Sequence, residues 1–274
     1  MEKENTFADY QLPPLDLLDE YIPEDKVSEG KIANGRRAVV RMRSVLGDGA
    51  FRNCKAELPV AIGQTFGNET VVFDLAKAPH LLIAGATKQG KTEAINAVVA
   101  SLLYSKRPEE LKFVFLDPKG CEFSAYSRLG GHYLATLSGE NPIVQTKEQA
   151  GKTLEALCEE MEARYSHLSV GSISNIVEYN KQASTPQERW PYIVTIIDEY
   201  ADLTIPAGRE EESRYISREI TESIIRLEGQ SRRHPHHPCH PATIQESHHG
   251  FYQGNLPDQN RCQNHDQNRL QSNP

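Results

Sequence analysis

An α/β fold with a mainly parallel sheet is predicted by three observations. Short apolar runs lack any polar–apolar alternation, stretches of helical period lie between them, and the runs end in glycine-containing or acidic turns. The runs are His-Leu-Leu-Ile-Ala-Gly at residues 80–85, Lys-Phe-Val-Phe-Leu at 112–116 and Tyr-Ile-Val-Thr-Ile-Ile at 192–197. Runs of this kind suit strands buried on both faces, as in a parallel sheet covered by helices.

Residues 1–36 are polar and charged, with YQLPPLDLLDEY as the apolar cluster, and read as a linker or peripheral arm. Residues 37–80 read as strands leading into the main domain. Val39, Val40 and Met42 suggest a short strand, and residues 58–62 and 71–75 suggest two more around the turn GQTFGNE. The main domain spans 81–227. Ala94, Ile95, Val98, Val99, Leu102 and Leu103 give residues 92–106 helical spacing. Ala150, Leu154, Leu157, Cys158, Met161, Tyr165 and Leu168 do the same for 146–168. Residues 172–182 suggest a further helix with Ser172 or Ser174 as its cap, and 211–227 a charged helix.

Composition narrows the class. The chain of 274 residues is 38% apolar, and its mean hydropathy is −0.57, so some part of it dilutes an ordinary core. No stretch approaches the ~18 consecutive apolar residues of a membrane span. The first ten residues, MEKENTFADY, have neither the basic nor the apolar region of a secretory signal, so a cytoplasmic protein is expected. Five cysteines, at 54, 121, 158, 239 and 262, are scattered and odd in number, as expected of free thiols. A net charge of −8 excludes a wholly basic nucleic-acid binder but leaves room for a local basic channel.

The turn after the first buried run carries the chemistry. Gly85, Ala86, Thr87, Lys88, Gln89, Gly90, Lys91 and Thr92 fit G-x-x-x-x-G-K-[ST], with a buried strand before and an amphipathic helix after. The glycines let the backbone wrap a polyphosphate, and the helix N-terminus adds partial positive charge. Lys91 is placed to reach the β- and γ-phosphates of ATP, and the Thr92 hydroxyl to ligate Mg²⁺. At the end of the third run, Asp198 would hold the Mg²⁺ shell and Glu199 would act as general base on the attacking water. An acid that orients water favours hydrolysis of ATP over kinase-type transfer.

Four segments, AKAPHLLIAGATKQGKTEAINAVVASLLY, KFVFLDPKGCEFSAY, EALCEEMEARYSHLSVGSISNIVEYN and PYIVTIIDEYADL, resemble the motor domain of FtsK/SpoIIIE DNA translocases in content, order and spacing. The resemblance covers residues 58–227, and LDLLDEY and RMRSVLGDGAFRNCKAELPVAIGQT look like further pieces of the same family. It implies a RecA-like P-loop NTPase core, ATP and Mg²⁺ as cofactors, and a homo-hexameric ring that moves double-stranded DNA. Gly85, Gly90, Lys91, Thr92, Asp198 and Glu199 carry the nucleotide site over by motif. Lys88 and Gln89 replace the small residues common in this loop, and their side chains can point outward. The gap between Tyr21 and Arg37 is too short for the small ring-building domain of the family, and the N-terminal membrane tether of the family has no counterpart here. Arg164 is a candidate arginine finger.

Residues 228–274 hold seven of the ten histidines, are rich in Gln, Asn and Pro, and show neither a helical stripe nor a strand. His234, His236, His237, Cys239 and His240 invite a zinc reading, but their spacing matches no standard site and the prolines leave no scaffold. A shift of reading frame accounts better for the composition. Codons exist for residues 228–243 that, read one base later, spell Lys-Gly-Arg-Ala-Ala-Gly-Ile-His-Ile-Ile-Leu-Ala-Thr-Gln-Arg-Pro, the strand and turn that the resemblance places there. On this account the segment is a non-native, disordered tail, the sheet is incomplete on its C-terminal side, and a glutamine that senses the γ-phosphate is lost. The function expected is that of an ATP-driven DNA translocase motor in a defective form. A conjugation or secretion ATPase of the same superfamily and a nucleotide-binding remnant without turnover are the alternatives.

Overall fold

The computed structural model describes residues 10–18, 40–65, 67–78, 80–85, 90–137, 140–233 and 242–247. Among them, helices α1 (Met42–Gly47) and α2 (Gly49–Arg52) precede a hairpin of β1 (Pro59–Gln64) and β2 (Thr70–Asp74). Then follow β3 (His80–Ala84), α3 (Lys91–Leu103), β4 (Leu111–Leu116), β5 (Ile143–Val144), α4 (Lys147–Gly171) and α5 (Ile176–Gln182). The last elements are β6 (Tyr192–Ile197), α6 (Tyr200–Thr204), α7 (Glu211–Arg233) and β7 (Ala242–Ser247).

β1 and β2 pair antiparallel, and the other five strands form one sheet in the order β3-β7-β6-β4-β5. All its ladders are parallel. The absence of alternation in β4 and β6 has its cause here, because successive residues bury on opposite faces. Phe113, Phe115, Val194 and Ile196 join Ile95, Val98, Val99 and Leu102 of α3 in one core. Val114, Leu116, Ile193 and Ile197 join Leu154, Leu157 and Met161 of α4 and Ile220, Ile224 and Leu227 of α7 in the other. The fold is the predicted α/β arrangement with a parallel sheet, here covered by helices on both faces.

Three local expectations are corrected. No strand forms over the described residues 40–42 of the stretch read as one: Met42 opens α1, whose Val45 and Leu46 pack with Phe51 and Ala61 under the hairpin. The helix start read at Ser172 or Ser174 lies at Asn175, whose Oδ1 accepts from Glu178 N at 2.9 Å while Glu178 Oε2 accepts from Ser174 N at 2.8 Å. That reciprocal pair satisfies two donors at once. Ser172 instead closes α4 in a left-handed conformation, with φ 53°.

The third correction lies beyond Leu227, where the sequence shows no helix and no strand. α7 continues to Arg233, and Ala242–Ser247 forms β7 in the interior of the sheet. Ile196 and Leu81 flank Ile244, which is fully buried in the α3-side core. It is the only Ile, Leu, Val or Met between Leu227 and Leu256, and one such residue cannot print a periodicity. A slot between two parallel strands selects it all the same, since unpaired backbone on both sides is costly to leave buried. The histidine and cysteine positions 234, 236, 237, 239 and 240, and residues 248–274, lie outside the described residues. So do residues 1–9 and 19–36 of the proposed arm and residues 37–39 after it. Its described part, residues 10–18, lies against the domain: Tyr133 OH donates to Tyr10 OH at 2.9 Å, and Arg43 Nη1 to Leu18 O at 3.0 Å.

Candidate nucleotide site

Three of the sequence-derived site residues stand at the start of α3. Gly90 caps the helix at φ 88°, a left-handed conformation that glycine adopts without penalty. Lys91 is the first helical residue and is 7% exposed; Thr92 follows it. Gly85 ends the run through β3, and Ala86, Thr87, Lys88 and Gln89 lie outside the described residues. The first-turn amides of a helix have no intrahelical acceptor, and the helix dipole is positive there. An anion placed at that end gains from the amides, the dipole and the buried lysine together, so the arrangement suits a phosphate group.

The acidic pair stands at the end of β6. Asp198 N donates to Leu116 O of β4 at 2.9 Å, which continues the ladder by one residue, and Asp198 is 2% exposed. Glu199 is 6% exposed and adopts φ 46° and ψ 60°, a left-handed conformation worth about 1–2 kcal/mol of strain for a residue with a Cβ. Its carbonyl accepts from Asp202 N at 2.8 Å, opening α6. β7 alone separates β3 from β6, so Gly85 and the acidic pair sit at the C-terminal ends of strands roughly 10 Å apart, taking about 4.8 Å per interval. In open α/β sheets, ligands bind at that edge. A hydroxyl and a carboxylate are hard oxygen donors, which suits Mg²⁺ in company with phosphate oxygens.

A third element is the turn after β4, the DPK segment, to whose residues the sequence assigned no roles. Asp117 is fully buried and organises it: Oδ1 accepts from Gly120 N at 2.7 Å, and Oδ2 from Glu122 N at 2.9 Å and Phe123 N at 3.0 Å. Gly120 has φ 67°, and a Cβ there would come 2.9 Å from Gln145 Nε2. The turn puts Lys119 Nζ 3.7 Å from Glu199 Oε2 and 3.3 Å from Asp202 Oδ2. It also puts Glu122 Oε2 where it accepts from Thr92 Oγ1 at 3.0 Å. Further on, Tyr126 OH donates to Asn96 of α3, and burial pushes its pKa up to about 12, so it keeps its proton. The signal for the turn was present in the sequence: Asp-Pro-Lys-Gly, with Pro second and Gly fourth, is a type I β-turn pattern. That Lys119 and Glu122 would face two other segments was not.

Arg164 is placed differently from an arginine finger. It is 6% exposed, pairs with Glu160 at 2.7 Å, donates to Pro191 O at 2.9 Å and lies over the Trp190 ring at 5.5 Å. A guanidinium so buried and so engaged ties α4 to the start of β6. Among the described residues no group of three or more His, Cys, Asp or Glu is arranged to hold a metal, and no helix is long and apolar enough to cross a membrane.

Comparison with known proteins gives one consistent picture. The chain is 46% identical over 195 residues to the DNA translocase FtsK of Chlorobaculum tepidum, covering 70% of this chain and 23% of that protein. It is 35% identical over 223 residues to the DNA translocase FtsK of Haemophilus influenzae, covering 73% of this chain and 39% of that protein. The chain therefore spans only a minor part of these curated relatives. Among solved structures it is similar to the pCW3 conjugation coupling protein TcpA, with a TM-score of 0.58 and 24% identity over 73% of this chain and 51% of that one. The cytoplasmic domain of the type VII secretion ATPase EccC of Thermomonospora curvata matches at a TM-score of 0.52 and 22% identity, over 70% of this chain and 21% of that one. Those two likenesses show the fold. The FtsK/SpoIIIE family model matches residues 41–247, which take in the phosphate turn, the acidic pair and β7, and the chain belongs to the FtsK/SpoIIIE family.

Proposed function

We propose that this chain is the ATP-binding motor module of a DNA translocase, built to hydrolyse ATP and so move double-stranded DNA as a ring of six copies. The juxtaposition of Lys91 and Thr92 with Asp198 and Glu199, across the single strand β7, supports this reading most. In it the first-turn amides of α3 and the Lys91 ammonium bind the phosphates. Thr92 Oγ1 and Asp198 would hold a magnesium ion, which would supply charge to offset that developing on the phosphate oxygens. Glu199, a buried carboxylate, accepts the proton of the attacking water. Lys119 holds the Glu199 carboxylate from one side, so the base has a defined position.

A second reading, a nucleotide-binding remnant without turnover, is favoured by residues 228–274. Their histidines, prolines and amides stand where the shifted frame spells a family strand and turn. The experiment that separates the readings measures ATP binding and ATP hydrolysis with and without double-stranded DNA. A motor binds ATP and turns over faster with DNA; a remnant binds ATP with no DNA response. Binding that survives Lys91→Ala unchanged would sink both.

A further inference from the structure

The proposed mechanism leaves one contact of the phosphate helix without a role. The Thr92 hydroxyl donates to the Glu122 carboxylate at 3.0 Å. Glu122 is not loosely placed. Its own N–H donates to the buried Asp117 carboxylate, and the next residue, Phe123, is 1% exposed in the core. Four residues along α3 from Thr92, on the same helix face, Asn96 accepts from Tyr126. The turn is thus fastened to α3 at two successive levels, and Glu122 occupies the level next to the phosphate turn.

The direction of the hydroxyl proton has a chemical consequence. A hydroxyl carries one proton and two lone pairs. To ligate a cation it must present a lone pair and send its proton elsewhere. Donation to Glu122 leaves both Oγ1 lone pairs available, and an anionic acceptor makes the oxygen a better donor to a metal. Glu122 itself need not touch cation or nucleotide to do this.

We propose that Glu122 is a positioning residue for the divalent cation of the nucleotide site, acting through the Thr92 hydroxyl. The inference rests on the reading of residues 85–92 as that site. Its test uses the full chain and calorimetric titration of ATP, once with Mg²⁺ and once with EDTA. The ratio of the two dissociation constants measures what the metal adds. Glu122→Leu should bind metal-free ATP as the parent chain does and lose roughly tenfold of the Mg²⁺ contribution. Glu122→Gln keeps a neutral acceptor and should fall between the two. Mn²⁺ binding in the presence of ATP, followed by electron paramagnetic resonance, should give the same order. Should the leucine variant fail to melt cooperatively, Glu122→Ala at this exposed position takes its place. A Mg²⁺ contribution unchanged in the variants overturns the inference. Equal losses with and without metal overturn it too, since they would mark a purely structural contact. Absence of ATP binding by the parent chain, or equal binding by Lys91→Ala, overturns the nucleotide-site reading and takes this inference with it. Lys91-dependent binding that ignores Glu122 overturns the inference alone.

Discussion

Lys91 and Glu199 show how differently two residues of one site are held. Lys91 owes its place to Gly90 and the start of α3, all local in the chain. Lys91→Ala removes a charge-assisted phosphate contact and should weaken ATP binding by about 2–3 kcal/mol, roughly 30- to 150-fold, in a direct titration. Glu199 is held by a left-handed backbone, by α6 and by Lys119 from a distant turn. In a chain with the frame restored after codon 227, Glu199→Gln should bind ATP with parental affinity while hydrolysis drops by about 10²–10⁴-fold in a turnover assay, because the amide cannot take the proton. The thiols differ as sharply. Burial pushes the Cys158 thiol up to about 11, whereas Cys121 is exposed in the turn after β4. A thiol reagent at neutral pH should label Cys121 in the folded chain and Cys158 only after denaturation, with peptide mapping as the measurement.

Among the elements, β7 has the largest consequence for its length. β3 sits at the sheet edge and reaches the other strands through β7. Six residues thus join the strand that leads into the phosphate turn to the strand that carries the acidic pair. The backbone of Gln245 lies between Leu82 and Ile197, near the C-terminal ends of both neighbours. Ile244 is the described core side chain of this strand, and Ile244→Ala should cost about 2–5 kcal/mol in thermal or denaturant unfolding. An unchanged midpoint would mean that residues 242–247 do not occupy the slot. Hydrogen exchange should agree, with slow amides through Ala242–Ser247, since both neighbours of an interior parallel strand protect it.

At the scale of the whole molecule, the family relation and the residues after 227 pull in different directions. The relation carries a motor, while the composition of 228–274 and its shifted-frame translation carry an interrupted one. We expect the chain as written to bind ATP and show little DNA-stimulated hydrolysis. A chain with the frame restored after codon 227 should show clearly more, measured by phosphate release with and without double-stranded DNA. Strong DNA-stimulated turnover by the unrepaired chain would show that β7 and the residues after it suffice, and would sink the reading of a slipped frame.

The amino-acid sequence by itself determined β3, β4 and β6, the helices α3 and α4 and the Gly-Lys-Thr step at the start of α3, because each has a local cause. Unalternated apolar runs, a 3.6-residue period and a Gly-Lys-Thr step after a strand act over a few neighbours. The tertiary structure alone decided the rest. Ala242–Ser247 became a strand because a gap between β3 and β6 presents unpaired backbone and an apolar face, which no property of six mostly polar residues announces. Lys119 meets Glu199, and Glu122 meets Thr92, because parallel strand order sets the turn after β4 against α3 and β6. Such meetings depend on which strand lies beside which, and strand order is a property of the closed sheet rather than of any segment in it.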